Sequence, residues 1–150
     1  MRERYWARVC WRGADRCAPW LGTLSSTGHV KVRVGSRADG TRRMVSAHVL
    51  GYQLARGLIT EEADLVLAHS CDEPACQQPD HLSLVPRRRN GEECQARQWS
   101  GPLLDARGPR GRAAAVREAI LAARERGEDV EAAIAAARSA GMPTPGERLF

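Results

Sequence analysis

Two cysteines and a histidine stand at equal spacing in the middle of the chain. Four residues separate Cys71 from Cys76, and four more separate Cys76 from His81. Thiolate sulfur and imidazole nitrogen are the ligands that zinc takes in tetrahedral sites, and a loop of this length can wrap around one ion. The polar residues between the cysteines favour this interpretation over that of two buried core thiols. A structural zinc has four protein ligands, so a residue from elsewhere should complete the set.

The fourth zinc ligand is expected to be one of the three remaining cysteines. The chain has five cysteines, an odd number, and its first residues lack the apolar run of a signal peptide. Both features favour a reducing, cytoplasmic setting, where metal binding is commoner than disulfide formation. We predict Cys17, which lies in a turn-like Cys-Ala-Pro-Trp segment, and keep Cys10 and Cys94 as alternatives.

Two further polar residues flank the zinc loop. His69 precedes the first zinc cysteine by two positions, and a neutral imidazole, with an ordinary pKa of about 6.5, is a suitable general base for water at neutral pH. Asn90 follows the loop and offers a neutral oxygen to Mg²⁺, which prefers oxygen ligands and keeps several waters. A base and a sparsely held metal beside a phosphate are the parts that phosphodiester hydrolysis requires.

A β-hairpin and a helix are predicted ahead of the zinc loop. Val30, Val32 and Val34 alternate with other residues, which predicts a strand with these side chains on one face. A turn over 37–40 returns the chain as the hairpin partner. Ser46 is a suitable N-cap for a helix that ends before a glycine at position 57.

Around the zinc loop the predicted order is strand, loop, strand, helix. The elements are a strand over 65–67 that leads to His69, a strand over 82–85, and a helix over 87–97 that Pro86 opens and that carries Asn90. The predicted fold class is therefore α+β, with the zinc stapling a small core.

Glycine and proline residues divide the rest of the chain. We predict a zinc-stabilised domain over 1–99, a linker over 100–111, a hairpin of two alanine-rich helices over 112–141 and a flexible tail over 142–150. The two helices have thin apolar stripes, so they should pack on each other, on the core or on a partner. Leu149 and Phe150 match two positions of peptides that dock on bacterial sliding clamps, although a disordered end is the favoured interpretation.

The charge balance favours a polyanionic partner. The net charge is +5 and the isoelectric point is about 9.3. All but one of the basic residues are arginine, a bias that a GC-rich genome also produces. No segment approaches the roughly 18 apolar residues of a membrane span, so no membrane partner is expected.

Several motifs in order carry a resemblance to a known family. They are Ala47-His48, Leu54-Ala-Arg-Gly57, the segment from His69 to Cys76, Pro79-Asp-His81-Leu82 and Asn90. Over roughly residues 5–95 the chain resembles the zinc-binding branch of the HNH endonucleases, the His-Me finger or ββα-metal group found in phages and homing elements. If the chain is phage-encoded, its compartment would be the host cytoplasm.

The resemblance implies a metal-dependent endonuclease that hydrolyses phosphodiester bonds in double-stranded DNA. His69 would be the general base and Asn90 the ligand of a catalytic Mg²⁺, replaceable by Mn²⁺. A structural zinc would be held by Cys71, Cys76, His81 and an upstream cysteine. Cys17 falls in a segment similar to the family's Gly-Cys-Trp-x-Trp-x-Gly, which supports its assignment.

The chain departs from the family pattern at two places. Ala47-His48-Val49 stands where the family has Ala-His-Arg, and Val85-Pro86 stands where it has Gly-Thr. If the missing arginine holds phosphate, Arg33, Arg42 or Arg43 would have to replace it. Three arginines that open the predicted site helix would clamp the DNA backbone, namely Arg87, Arg88 and Arg89.

The departures define an alternative function. The chain could be a non-catalytic, zinc-stapled DNA-binding or assembly module with a degenerate HNH site. A homodimer would cut both DNA strands and a monomer would nick one, and the residues do not choose between these outcomes.

Overall fold

The computed structural model describes residues 1–60 and 64–144. In that part of the chain there are five α-helices and two two-stranded antiparallel sheets, which is the predicted α+β class. The helices are α1 (Arg2–Trp6), α2 (Ala47–Arg56), α3 (Arg87–Arg97), α4 (Gly108–Arg126) and α5 (Val130–Ser139). The strands are β1 (Lys31–Val34), β2 (Arg43–Ser46), β3 (Leu65–His69) and β4 (Leu82–Pro86). Short 3₁₀ turns cover Pro79–His81 and Gly101–Leu104.

The first hairpin and α2 form as the sequence predicts, and α1, which was not predicted, packs against them. Tyr5 of α1 is 4% exposed, and its hydroxyl oxygen lies 2.9 Å from the Ala47 carbonyl oxygen and 2.5 Å from Gln77 Oε1. A Cβ atom at Gly51 would lie 2.1 Å from the Tyr5 hydroxyl, so only glycine fits there. The main core cluster, which includes Trp20 and Val30, is built around this contact.

The strands β3 and β4 form the second hairpin, and the loop between them contains the predicted zinc ligands Cys71, Cys76 and His81. β3 pairs with β4, and His69 stands opposite Leu82 at the end where the loop begins and closes. Pro86 was predicted as the first helical residue but is the last residue of β4, opposite Leu65, because its ψ of 138° is extended. α3 follows at once and contacts both strands, without burying a residue of its own.

The two C-terminal helices pack on each other and on the N-terminal segment. Val116, Ile120 and Ile134 enclose Cys10 in a second apolar cluster. α4 begins at Gly108 rather than at position 112, because Pro109 in its first turn needs no hydrogen-bond acceptor there. The division into domains stays a prediction, and Leu149 and Phe150 lie outside the described residues.

No helix in residues 1–60 and 64–144 is both long enough and apolar enough to cross a membrane.

A buried ion-pair network links α4 to the loop between β3 and β4. Arg112 Nε lies 3.0 Å from Glu73 Oε1, and Arg112 Nη1 lies 3.2 Å from Asp105 Oδ2. Arg107 also contacts Asp105, at 2.7 Å, and its hydrogen bonds lower the pKa of that carboxyl to about 2. Burial raises the pKa of Glu73 above its ordinary value. Arg112 therefore lies between two buried carboxyl groups, and each of these has a second arginine partner: Arg107 for Asp105, and Arg138 for Glu73 at 3.4 Å.

Replacing Arg112 with methionine is expected to lower the free energy of unfolding by about 1.5–3 kcal/mol. Two buried carboxylates each lose one arginine partner, although Asp105 keeps Arg107 and Glu73 keeps Arg138. Urea denaturation at pH 7 measures the change. The control is Arg126→Met, since the Arg126–Glu128 pair is exposed and its loss should leave stability nearly unchanged. Equal effects of the two substitutions would contradict the prediction.

Candidate metal centre and adjoining cleft

Three cysteines and one histidine converge beside the second hairpin. The ligand atoms of Cys17, Cys71, Cys76 and His81 all lie within 4.8 Å of one another. His81 Nδ1 is 3.6 Å from the sulfur of Cys17 and 3.6 Å from that of Cys76. Zinc bonds of about 2.3 Å to sulfur and 2.0–2.1 Å to nitrogen, at a tetrahedral angle, would set these atoms about 3.6 Å apart. The group could therefore bind a structural zinc, with Cys17 as the predicted fourth ligand.

Backbone pairing between the N-terminal segment and the loop brings the four ligands together. Pro19 forms an isolated antiparallel bridge with Cys76, and the amide of Gln77 donates to the Ala18 carbonyl at 2.8 Å. Asp72 takes a positive φ of 54°, which turns the chain directly after Cys71. The 3₁₀ turn Pro79–His81 then presents the imidazole to the three sulfur atoms.

The electrostatics of the cluster favour a bound cation. Hydrogen bonds with Cys71 and Cys76 lower the pKa of the Cys17 thiol to about 2. Hydrogen bonding to Cys17 raises the pKa of Cys76 to about 12, and it raises that of Cys71 as well. Three thiols at this distance therefore cannot all ionise by themselves. A divalent cation would remove that conflict by displacing the remaining protons.

The other two cysteines lie outside the cluster. Cys10 is 2% exposed and packs beneath α4, where Arg124 Nη2 lies 3.4 Å from its sulfur. Cys94 is exposed on α3, and its sulfur lies 3.8 Å from Asn90 Oδ1. Neither alternative for the fourth zinc ligand is therefore supported.

His69 is tied to the zinc loop by its ring. It ends β3, and its Nε2 lies 3.0 Å from the Cys76 carbonyl oxygen. An N–H at Nε2 would donate to this oxygen, which leaves Nδ1 as the unprotonated nitrogen of a neutral ring. Burial lowers the pKa of His69, which favours the neutral form at pH 7.

One open cleft contains both His69 and Asn90. Its volume is about 270 Å³, and among its walls are His29, Asp72 and Cys94. Asp72 is held there by Arg97, with Nε–Oδ2 and Nη2–Oδ1 distances of 2.8 and 3.1 Å. The structure thus brings the two predicted catalytic residues, His69 and Asn90, into one cleft. It adds one carboxylate, Asp72, whose oxygens are of the kind that Mg²⁺ prefers. The cleft adjoins the metal-binding cluster through His69 and Cys76.

Two histidines that the sequence analysis did not assign surround His69. The ring centroid of His48 is 4.9 Å from that of His69, and the centroid of His29 is 5.9 Å from both. Burial lowers the pKa of His48 to about 3, and its Nδ1 has no hydrogen-bond partner within residues 1–60 and 64–144. The Ala47-His48 motif was a signal for His48. No sequence motif marked His29, which precedes β1.

The arginines predicted to bind DNA fall into two groups. Arg33 and Arg42 line a second cleft, between α1 and the first hairpin, and Arg43 lines a neighbouring one. In the first turn of α3, Arg88 pairs with Glu92 at 3.1 Å and Arg89 with Glu93 at 2.7 Å. Both pairs are exposed. Arg87 has no ion-pair partner among the described residues.

Comparison with known proteins gives no relative. No protein family, no curated protein and no solved structure matches the chain.

Proposed function

We propose that the protein is a zinc-stabilised DNA endonuclease of the HNH, or ββα-metal, type that hydrolyses phosphodiester bonds. The observation that carries the proposal is the shared cleft of His69 and Asn90, directly beside the Cys17–Cys71–Cys76–His81 cluster. The order of β3, loop, β4 and α3 agrees with that type of site. The segment from β3 to α3 carries all of these residues except Cys17, which comes from the N-terminal segment.

His69 is proposed to take the proton from the attacking water. Its Nε2 faces the Cys76 carbonyl, so the ring is oriented by backbone rather than by a side chain that could titrate. The other nitrogen, Nδ1, then has a lone pair to accept a proton, as a general base requires. The base is in this way fixed by the loop that the zinc would hold rigid.

The oxygen donors of the cleft suit a sparsely held magnesium ion. Asn90, with Asp72 as a second donor, would hold Mg²⁺, which supplies charge stabilisation at the phosphate and at the leaving oxygen. Mn²⁺ has similar oxygen preference and should substitute. Zinc in the four-residue cluster has no open coordination position, so its role would be structural.

One observation favours the alternative of a non-catalytic, zinc-stapled DNA-binding or assembly module. Ala68 precedes His69, so no carboxylate adjoins the base along β3, and Asp72 is already engaged by Arg97. A site with so few free oxygen donors would bind Mg²⁺ weakly. The alternative predicts DNA binding without cleavage at any metal concentration.

Conversion of supercoiled plasmid by the purified, zinc-loaded chain tests the proposal. With Mg²⁺ or Mn²⁺ we expect nicked or linear DNA, and with zinc alone we expect none. Nicked product would indicate a monomer acting on one strand, and linear product a dimer acting on both. Plasmid that binds the folded protein but stays supercoiled in both metals would favour the alternative.

Replacing Asn90 with alanine is expected to raise the Mg²⁺ concentration for half-maximal cleavage at least about tenfold, because the cleft loses one of two oxygen donors. The measurement is a Mg²⁺ titration of the cleavage rate. Gln95→Ala, at an exposed position of the same helix, is the matched control. If the Asn90→Ala variant needed no more Mg²⁺ than the wild type, Asn90 would not be a ligand of the metal.

A further inference from the structure

The cleft between α1 and the first hairpin is lined by five arginines. Its volume is about 440 Å³. The arginines come from α1 and the turn after it, from β1, from the hairpin turn and from the residue before β2: Arg4, Arg8, Arg33, Arg37 and Arg42. Among the residues that the structure describes, no aspartate or glutamate lines this cleft. We call it the arginine cleft.

The five guanidinium groups of the arginine cleft lack partners. Each side chain belongs to an exposed residue, and none makes an ion pair or a side-chain hydrogen bond within residues 1–60 and 64–144. Some exposed arginines elsewhere do pair, as Arg126 does with Glu128 and Arg56 with Asp80, whereas here five unpaired ones share a cleft. Like charges that converge without counterions repel each other, so the arrangement favours binding of a polyanion.

The acidic residues nearest in sequence do not neutralise the cleft. Glu3 lies on α1 and Asp39 in the hairpin turn, but neither is part of the lining. Asp39 instead accepts hydrogen bonds from Thr41, with a hydroxyl-to-carboxylate distance of 2.6 Å. The positive charge of the cleft is therefore open to a ligand.

The core anchors two of the elements that form the cleft. Tyr5 and Trp20 lie at its base, 4% and 2% exposed, and their rings pack with centroids 5.4 Å apart. α1 is fixed by Tyr5, and the hairpin by its ladder and by Val30. Because Arg4 stands on α1 and Arg33 on β1, the backbone at these two positions is already in place when a ligand binds.

β1 connects the arginine cleft to the cleft of His69 and Asn90. His29 lines the cleft of His69 and Asn90. Arg33, four residues later in the chain, lines the arginine cleft. At about 3.3 Å per residue of extended chain the two positions are at most about 13 Å apart. That length equals roughly four base pairs at about 3.4 Å per phosphate along one strand.

We propose that the arginine cleft holds the phosphate backbone of duplex DNA within about four base pairs of the bond that is cut. The identity of the polyanion rests on the proposed endonuclease function, whereas the cleft's charge and position do not. Guanidinium groups match phosphate oxygens by paired hydrogen bonds, and contacts of this kind fix register without reading sequence. An acidic protein segment is the competing occupant.

Fluorescence anisotropy with a labelled 30-base-pair duplex, without added Mg²⁺, tests the inference. The double variant Arg8→Gln/Arg37→Gln removes two cleft charges at positions without a proposed catalytic role. The matched control, Arg56→Gln/Arg126→Gln, removes two charges from exposed, ion-paired arginines outside the cleft. We expect the cleft variant to bind at least about tenfold more weakly than the control at 150 mM salt. Its plot of log affinity against log salt should be shallower by about 1.8, the value for two lost phosphate contacts.

Two results would overturn the inference. Equal affinity and salt slope for the cleft variant and the control would show that the duplex does not enter the cleft. Polyglutamate that binds as tightly as the duplex, and loses affinity in the cleft variant alone, would assign the cleft to an acidic protein segment.

Plasmid cleavage separates this inference from the proposed function. A protein that never cuts DNA but loses duplex binding in the cleft variant would retain the cleft assignment and lose the nuclease. A protein that cuts DNA while the cleft variant matches the control in binding would retain the nuclease and lose the cleft assignment.

Discussion

Replacing Cys76 with serine is expected to abolish cooperative unfolding of the domain and to reduce bound zinc from one ion per chain to none. Cys76 is 1% exposed and supplies one of three sulfur atoms around His81. Structural zinc contributes about 10–16 kcal/mol to the folded state of small zinc domains, which exceeds the total stability of most domains of this size. Circular dichroism during thermal unfolding and metal analysis of the purified variant measure the two effects.

The chain provides its own control for this experiment. Cys94→Ser changes a cysteine that is exposed on α3 and lies outside the cluster, so zinc content and the unfolding transition should match the wild type. Removal of zinc from the wild type by a chelator should reproduce the Cys76→Ser result. A variant that keeps the wild-type transition without metal would show that the apolar clusters suffice for the fold.

Replacing His69 with alanine is expected to reduce the rate of plasmid cleavage by about 10²–10⁴-fold, the range that a general base contributes. The substitution removes a ring that is bonded to a single backbone carbonyl, so zinc content should stay at one ion per chain. Added imidazole should restore part of the lost rate, because a small base can enter the open cleft of His69 and Asn90. A residue with only a structural role would show no such rescue.

His48 tests whether proximity alone explains the effect of His69. Its ring lies 4.9 Å from that of His69, yet it is not part of the cleft lining. His48→Ala should therefore lose less activity than His69→Ala and gain nothing from imidazole. If both variants lost the same activity and imidazole restored both equally, the general base could not be assigned to His69 alone.

The sequence predicted the parts of the fold that local patterns determine. The alternation of Val30, Val32 and Val34 located the first hairpin, and the helices α2 and α3 begin and end within a residue of their predicted limits. The Cys17–Cys71–Cys76–His81 cluster, which could bind a structural zinc, was predictable because a metal requires particular donor atoms at short spacing. The turn around Cys17 favoured it over Cys10. These signals need no knowledge of which segments meet.

The contacts between distant segments could not be predicted in this way. α1 is a five-residue helix whose stability depends on the burial of Tyr5 beside α2, which its own sequence does not reveal. The docking of α4 depends on Arg112, a residue type that is rarely buried unless paired. Its partners lie in the zinc loop and before α4, so no periodic pattern indicated the contact.

The convergence of five arginines in the arginine cleft could not be predicted from the sequence either. Arg33 and Arg42 were singled out as replacements for an arginine that the resemblance led us to expect. Arg4, Arg8 and Arg37 lie in a helix, a turn and a hairpin tip, and they share a cleft only because Tyr5 holds α1 against the hairpin. In a chain with so many arginines, the composition could not identify those that converge.

If the Cys17–Cys71–Cys76–His81 cluster binds zinc, the wide sequence separation of its members has a consequence for folding kinetics. Cys17 and His81 are 64 positions apart, so completing the ligand set closes a long loop at an entropic cost of roughly 3–4 kcal/mol. Cys71, Cys76 and His81 are local and should capture the ion first, with Cys17 arriving late. The early, three-ligand state has an exchangeable position, so refolding should slow when a small thiol competes for it. The rate-limiting step of folding would then be the arrival of the N-terminal segment, which also positions α1 and completes the arginine cleft.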